Sequence, residues 1–232
     1  MARMIDTIIF DLDGTLVDSQ PAALGATIEA LSRFGVQVTA SELREQFGGG
    51  ARKLLGYFLA RDLSSDQASQ AIDPAIRLRN DLQLELTDRV ILLPQIRQLL
   101  VLLKGDGYRI ALATMSARNI VDNIMSYHGI KEYFDEVMTA DDVVHGKPDP
   151  EIITKTVEAL GGQVDRTLYV GDSDHDLEAA VSLGMPFLLV DSGIYVRGEK
   201  RERLRITAEE NGHPIVGLAE LLDIHEIVRR HS

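Results

Sequence analysis

Short apolar runs alternating with helical stripes constrain this chain more than any other feature. Ile5–Phe10, Arg109–Thr114, Thr167–Gly171 and Phe187–Asp191 read as short buried strands. Between them Ile96, Leu99, Leu100 and Leu103 make one apolar stripe at helical spacing, and Ile120, Val121, Ile124 and Met125 a second. Ile152, Ile153, Thr156, Val157 and Leu160 make a third, and Leu177, Ala180, Val181 and Gly184 a fourth. Apolar strands alternating with amphipathic helices predict an α/β protein, a parallel sheet covered on both faces. The stripes are read as core packing.

Residues 18–90 interrupt this alternation. They carry helical spacing only: Leu24, Ile28 and Leu31, then Leu54, Leu55, Phe58 and Leu59, then Ala68, Ile72, Ala75 and Ile76. The expected organisation is a core of residues 1–17 and 91–232, with a small α-helical cap domain of residues 18–90 inserted after the first strand. A chain of 232 residues has room for both.

Composition excludes several classes of function. The chain has no cysteine, so disulfides, thiolate metal sites and a cysteine nucleophile fall away together. A net charge of −12 argues against a nucleic-acid partner, which needs a basic face. No apolar run approaches the length of a membrane span; Val90–Leu103 is broken by Gln95, Arg97 and Gln98. The N-terminus shows no basic segment leading into an apolar one, so the expectation is a cytoplasmic protein without a signal peptide or membrane partner. If its partner is a small anion, a local cation must reverse the overall repulsion.

Open parallel sheets bind ligands at the carboxyl ends of their strands. There the first strand runs into Asp11-Leu12-Asp13-Gly14-Thr15, the second core strand ends at Thr114 before Met115, and Thr167–Gly171 delivers Asp172 with Asp176 four residues on. Lys147 precedes Pro148-Asp149-Pro150, where Asp149 is expected to cap a helix with Pro150 at its first position. A helix starting near Asp174 would turn Asp172 and Asp176 towards one point.

These groups suit phosphoryl transfer through a carboxylate. Asp11 is the candidate nucleophile, and Asp13 the acid that protonates a leaving oxygen and then activates water. Nucleophile and phosphate are both anionic: like charges about 4 Å apart repel by about 4 kcal/mol at an effective dielectric of 20. Mg²⁺ held by Asp11, the Asp13 carbonyl and Asp172 would offset that repulsion, with Lys147 as a second cation and the Thr114 hydroxyl and the amide after it as donors to phosphate. A calcium-loop reading fails, because the glycine at loop position six and the glutamate at twelve are missing after both acidic clusters. His128, His145 and His175 show no metal-ligand spacing and are expected in loops or on helix surfaces.

The stretches Phe10–Ser19, Thr114, Gly146–Pro150 and Gly171–Asp176 together resemble the haloacid dehalogenase superfamily of phosphohydrolases. The resemblance implies a Rossmann-like, doubly wound core with Asp11 as nucleophile and Asp13 as acid/base. It implies Mg²⁺ on Asp11, Asp13 and Asp172 with support from Asp176, and phosphate on Thr114, Met115 and Lys147. Within the superfamily the chain is most similar to phosphoglycolate-phosphatase-like enzymes, and Phe47–Leu55 looks like their cap loop. Arg52 and Lys53 would there meet a second anionic group of a small phosphorylated metabolite. Met115 stands where many relatives have Asn, and Gln95 where Gly is common after the preceding residue, which affects a turn rather than the chemistry. Ala113–Asn119 also resembles sugar phosphomutases. A mutase, and a binding module that has lost turnover, remain the alternatives to a phosphomonoester hydrolase.

Overall fold

A computed structural model describes residues 4–46 and 50–230. In chain order the elements are β1 (Thr7–Phe10), β2 (Val17–Asp18), α1 (Gln20–Arg33), α2 (Ala40–Glu45), α3 (Gly50–Asp62), α4 (Ser65–Glu85) and β3 (Ile91–Leu92). There follow α5 (Ile96–Gly105), β4 (Arg109–Ala113), α6 (Arg118–Tyr127), β5 (Glu136–Met138), α7 (Glu151–Ala159), β6 (Thr167–Gly171), α8 (Asp174–Ser182), β7 (Phe187–Asp191), α9 (Gly198–Glu210), β8 (Ile215–Gly217) and α10 (Asp223–Arg230).

Six strands form one sheet in the order β5-β4-β1-β6-β7-β8, every neighbouring pair parallel. β1 is central, with Phe10 in register with Leu112 on one side and Val170 on the other. The sheet's period of two divides its apolar residues between two cores. Ile8, Phe10, Ile110, Leu112, Leu168 and Val170 face the side covered by α5, α6 and α10. Ile9, Ala111, Tyr169, Phe187 and Leu189 face α7, α8 and α9. Both faces are buried, which is why these strands read as unbroken apolar runs.

The stripes on α5 and α6 are buried as expected. On α8 the buried face is rotated: Val181 is exposed, and Asp176, Leu177, Ala179 and Ala180 are inside. The periodicity of apolar residues missed this because a buried aspartate anchors the face. The first strand begins at Thr7, two residues later than expected, although Ile5 is buried.

The helical insertion α1–α4 follows β1 and β2 and has its own core, built from Leu24, Leu31, Leu43, Leu55, Phe58, Leu59 and Ala75. Ser64 starts α4 with a capping box: its side chain accepts from Gln67 N–H while Gln67 reaches back to it. The chain leaves and re-enters the core through paired crossings, because β2 and β3 form a short antiparallel ribbon with Val17 opposite Leu92. Two residues per strand are too few for any alternation to announce, so the sequence gives no sign of this ribbon. β3 leads into Gln95, the one non-glycine residue with left-handed backbone (φ 65°) among those described, which starts α5. The departure at Gln95 therefore falls in a turn.

Candidate active site

Asp11, Thr114 and Asp172 each follow a strand, β1, β4 and β6, which are adjacent in the sheet. Their side chains accordingly meet at one end of the sheet, beneath a cleft of about 570 Å³ whose opposite wall is the helical insertion. Asp11, Asp13, Thr114, Met115, Lys147, Asp172 and Asp176 all line it.

Lys147 is the hub of the core wall. Its Nζ lies 2.8 Å from Asp11 Oδ1, 2.8 Å from Asp176 Oδ1 and 2.8 Å from the Ala113 carbonyl oxygen. All three donor positions of the ammonium are thus used. Asp176 in turn accepts from the Tyr169 hydroxyl at 3.1 Å, from Ser173 Oγ at 2.6 Å and from Ser173 N–H at 3.2 Å, the last as part of the capping box that starts α8. Burial alone would lower the affinity of Lys147 for its proton, but the two carboxylates outweigh it and hold its pKa well above the ordinary value. Burial pushes Asp176 up, and the Lys147 ion pair with the hydrogen bonds more than reverses this.

One lysine does not neutralise three carboxylates. Burial, reinforced by the charges of Asp176 and Asp13, pushes Asp11 up to about 7 against the pull of Lys147. Burial and the neighbouring carboxylates Asp176 and Asp11 raise Asp172 well above the usual range. Oxygens of Asp11, Asp172 and Asp176 lie within 4.8 Å of one another. A buried group of hard oxygen donors with excess negative charge is what Mg²⁺ satisfies, so the residues present fit that ion.

Asp13 stands apart from this trio. Its carboxylate accepts from Ser19 Oγ through Oδ1 and from Ser116 Oγ at 2.6 Å through Oδ2. Ser19 Oγ is also 2.6 Å from the Tyr195 hydroxyl. Since Ser19 gives its proton to Asp13, Tyr195 must donate to Ser19, and the chain of hydroxyls presents Asp13 as an acceptor at both oxygens.

Two glycines make this closeness possible. Gly14 has φ +87°, and a Cβ there would fall 2.0 Å from Asp172 Oδ2. A Cβ on Gly171 would come 2.6 Å from Asp176 Cβ, so β6 and the first turn of α8 approach only because that atom is missing.

Several expectations shift. α7 begins at Glu151, not at Pro150; Pro150 is its cap residue, and Asp149 Oδ1 accepts from Glu151 N–H at 2.9 Å. Proline in the cap position leaves the helix start to the aspartate before it. Met115 packs its thioether against Gly146, where a Cβ would meet Cε at 2.5 Å, so it supports the loop that carries Lys147. His175 lies in the first turn of α8, half-buried at the rim of the cleft beside Asp174. Phe47, Gly48 and Gly49 of the expected cap loop lie outside the described residues. Arg52 lines the cleft but is exposed and paired with Asp73. Lys53 is exposed and is not among the cleft-lining residues.

The sequence does not single out Arg79, a half-buried cation that the insertion turns inward. Ile76, Arg79, Asn80 and Gln83 of α4 all line the cleft, at the spacing of one helix face. Burial lowers the pKa of Arg79, while the negative charge of Asp13 works in the other direction. Nothing in the sequence marks a role for Ser19, Ser116, Tyr169 or Tyr195 either. The lone available signal for α4 was Ile76 followed by polar residues three, four and seven positions on.

Residues 8–190 match the profile of the family described as haloacid dehalogenase-like hydrolase. A probable phosphatase, IndB, of Dickeya dadantii is 30% identical over 216 residues, 93% of this chain and 94% of that protein. A phosphoglycolate phosphatase of Vibrio vulnificus is 31% identical over 224 residues, 95% of this chain and 96% of its own length. Among solved structures, a predicted phosphoglycolate phosphatase from Haemophilus somnus superposes with a TM-score of 0.79 at 24% identity, over 95% of this chain and 98% of that one.

Proposed function

Since the chain belongs to the haloacid dehalogenase-like hydrolases and is a phosphatase of that family, we propose that it hydrolyses a small-molecule phosphomonoester through an aspartyl-phosphate on Asp11. One observation carries the reading. The Lys147 ammonium bridges Asp11 and Asp176, beside Asp172, at the mouth of the central strand.

In the first half-reaction an Asp11 carboxylate oxygen attacks phosphorus, the bond from phosphorus to the ester oxygen breaks, and Asp13, which takes up a proton before the step, gives it to that oxygen. Water then attacks the phosphorus of the acyl-phosphate and loses a proton to Asp13, while the bond to Asp11 breaks and inorganic phosphate leaves. Ester and water become alcohol and phosphate, and both aspartates return to their starting state. Thr114 and the Met115 amide hold the phosphate oxygens, and Lys147, whose three donors are already taken, adds its positive charge beside them. Mg²⁺, held by Asp11, Asp13 through its carbonyl, and Asp172 with Asp176 behind them, would supply positive charge against the repulsion between nucleophile and phosphate.

Residues 18–90 act as the cap domain and residues 1–17 with 91–232 as the catalytic domain. Arg52 and Lys53 add positive charge near the mouth of an otherwise acidic protein. The substrate is phosphoglycolate-like or a sugar phosphate, met in the cytoplasm. Among the described residues no helix is long and apolar enough to cross a membrane.

The test is phosphate release from a panel of phosphorylated metabolites, with and without Mg²⁺, by wild type and Asp11→Asn. Release that needs Mg²⁺ and falls at least about 10³-fold in the variant is expected. Absence of release by wild type across the panel, or equal release by the variant, rejects the mechanism.

A further inference from the structure

The cap wall of the cleft holds two polar groups that the described residues leave wholly or partly unmet. Gln83 is 3% exposed, and its Oε1 has no hydrogen-bond partner among the described residues. A buried amide oxygen without a donor is destabilising, so its presence on a cleft-lining face is unusual. One turn earlier on the same face, Arg79 is half-buried and has no carboxylate within ion-pair distance among the described residues. Its one hydrogen bond runs from Nη1 to the side-chain oxygen of its neighbour Asn80, at 3.1 Å. A desolvated guanidinium usually has a carboxylate or phosphate partner. Here the acid nearest in effect is Asp13, whose oxygens Ser19 and Ser116 already occupy.

Building on the phosphatase reading, we infer that Arg79 and Gln83 form the subsite for the leaving group, and that this group carries both a second anion and a hydroxyl. The anion answers Arg79, and the hydroxyl donates to Gln83 Oε1. The class is thus a polyhydroxy phosphate bearing a carboxylate or a second phosphate. A two-carbon acid ester supplies the anion but has no hydroxyl to give. Size agrees. With the ~30 Å³ of a liquid water molecule as a generous allowance per atom, such an ester fills less than half of the cleft. Arg52 is the weaker anchor, because its side chain is 68% exposed and already paired with Asp73.

The experiment separates this inference from the phosphatase reading. Affinities are measured by calorimetry on Asp11→Asn protein with Mg²⁺, which needs no turnover; phosphate release is measured in parallel on wild type. The ligands are the phosphate ester of a two-carbon acid, that of a hydroxylated three-carbon acid, a sugar bisphosphate and a sugar monophosphate. Each is also tested with Arg79→Met, Arg79→Lys and Gln83→Leu added, after a thermal melt shows the variant folded.

The hydroxylated dianionic ligands should bind at least about 10-fold more tightly than the two-carbon ester. Arg79→Met should weaken them by about 10- to 100-fold and the sugar monophosphate by less than about 3-fold, with Arg79→Lys in between. Gln83→Leu should weaken the three hydroxylated ligands and spare the two-carbon ester. The tighter of the hydroxy acid and the bisphosphate names the anion. Equal affinity for the two-carbon ester, or a loss common to all four ligands in either Arg79→Met or Gln83→Leu, overturns the inference even where wild type releases phosphate.

Discussion

The two walls of the cleft differ in how their polar groups are satisfied. On the core wall Lys147 spends all three donors, Asp176 accepts from a lysine, a tyrosine and a serine, and both oxygens of Asp13 are held. On the cap wall, among the described residues, Arg79 has a neighbouring amide as its hydrogen-bond partner and Gln83 Oε1 has none. Groups satisfied in the free protein are preorganised and serve every substrate alike; groups left unsatisfied are completed by a ligand and so distinguish one substrate from another. The core wall should therefore set the rate and the cap wall the choice.

The sharpest way to break this division is Lys147→Met. Methionine has similar length but leaves Asp11 and Asp176 facing each other without their cation. Removing one partner of a buried ionic cluster costs about 3–5 kcal/mol, to be read by urea unfolding without Mg²⁺. Phosphate release should fall by at least about 10³-fold, and by a similar factor for every ester that wild type accepts. A variant that lost one class of ester and kept another would mean that the core wall also selects, and the division would fail.

Gly14→Ala is the next largest, and it acts on the core wall without touching a charge. The new methyl would need the space of Asp172 Oδ2 and a left-handed backbone. The strain amounts to about 1–3 kcal/mol, and Asp172 must move to relieve any of it. Expected outcomes are a clear drop in urea midpoint and weaker Mg²⁺ binding by calorimetry. The order of preference among esters should stay as in wild type. A reordered preference would show that a shift of Asp172 reaches the cap wall.

How much of this could be read from the sequence follows the same line. Several core-wall groups sit at points the chain must mark: Asp11, Thr114 and Asp172 follow apolar strands, and Gly14 and Gly171 stand where a Cβ cannot. Strand ends are legible because hydrophobicity stops there. The cap wall gives no such mark. Arg79, Asn80 and Gln83 lie on a regular helix, and an amphipathic pattern does not say whether its polar residues face water or a cleft. Arg52 and Lys53 stood out only because they are adjacent cations, which on a helix is as common on a solvated face. Tyr195 was hidden for another reason: its contact with Ser19 spans 176 residues of sequence, beyond any local pattern.

The junction between the two walls offers the smallest and most selective test. His128, at the end of α6, has Nε2 3.1 Å from the carbonyl oxygen of Val90, the residue before β3. A carbonyl only accepts, so Nε2 carries a proton. Burial lowers the pKa of His128, the Val90 carbonyl partly opposes this, and the Arg97 guanidinium lowers it further. With the folded pKa below the unfolded value of about 6.5, the neutral ring is the form that favours folding. Its contribution is complete above that unfolded value and is lost as pH falls through the folded one. Between pH 7.5 and 5, wild type should therefore lose more in melting temperature than His128→Gln, by no more than about 2 °C because the ring is only half-buried. Ester preference at pH 7.5 should be the same in both proteins. If His128→Gln instead reordered the esters, the tie between α6 and Val90 would be setting the position of the cap wall, and choice of substrate would reside partly at the junction.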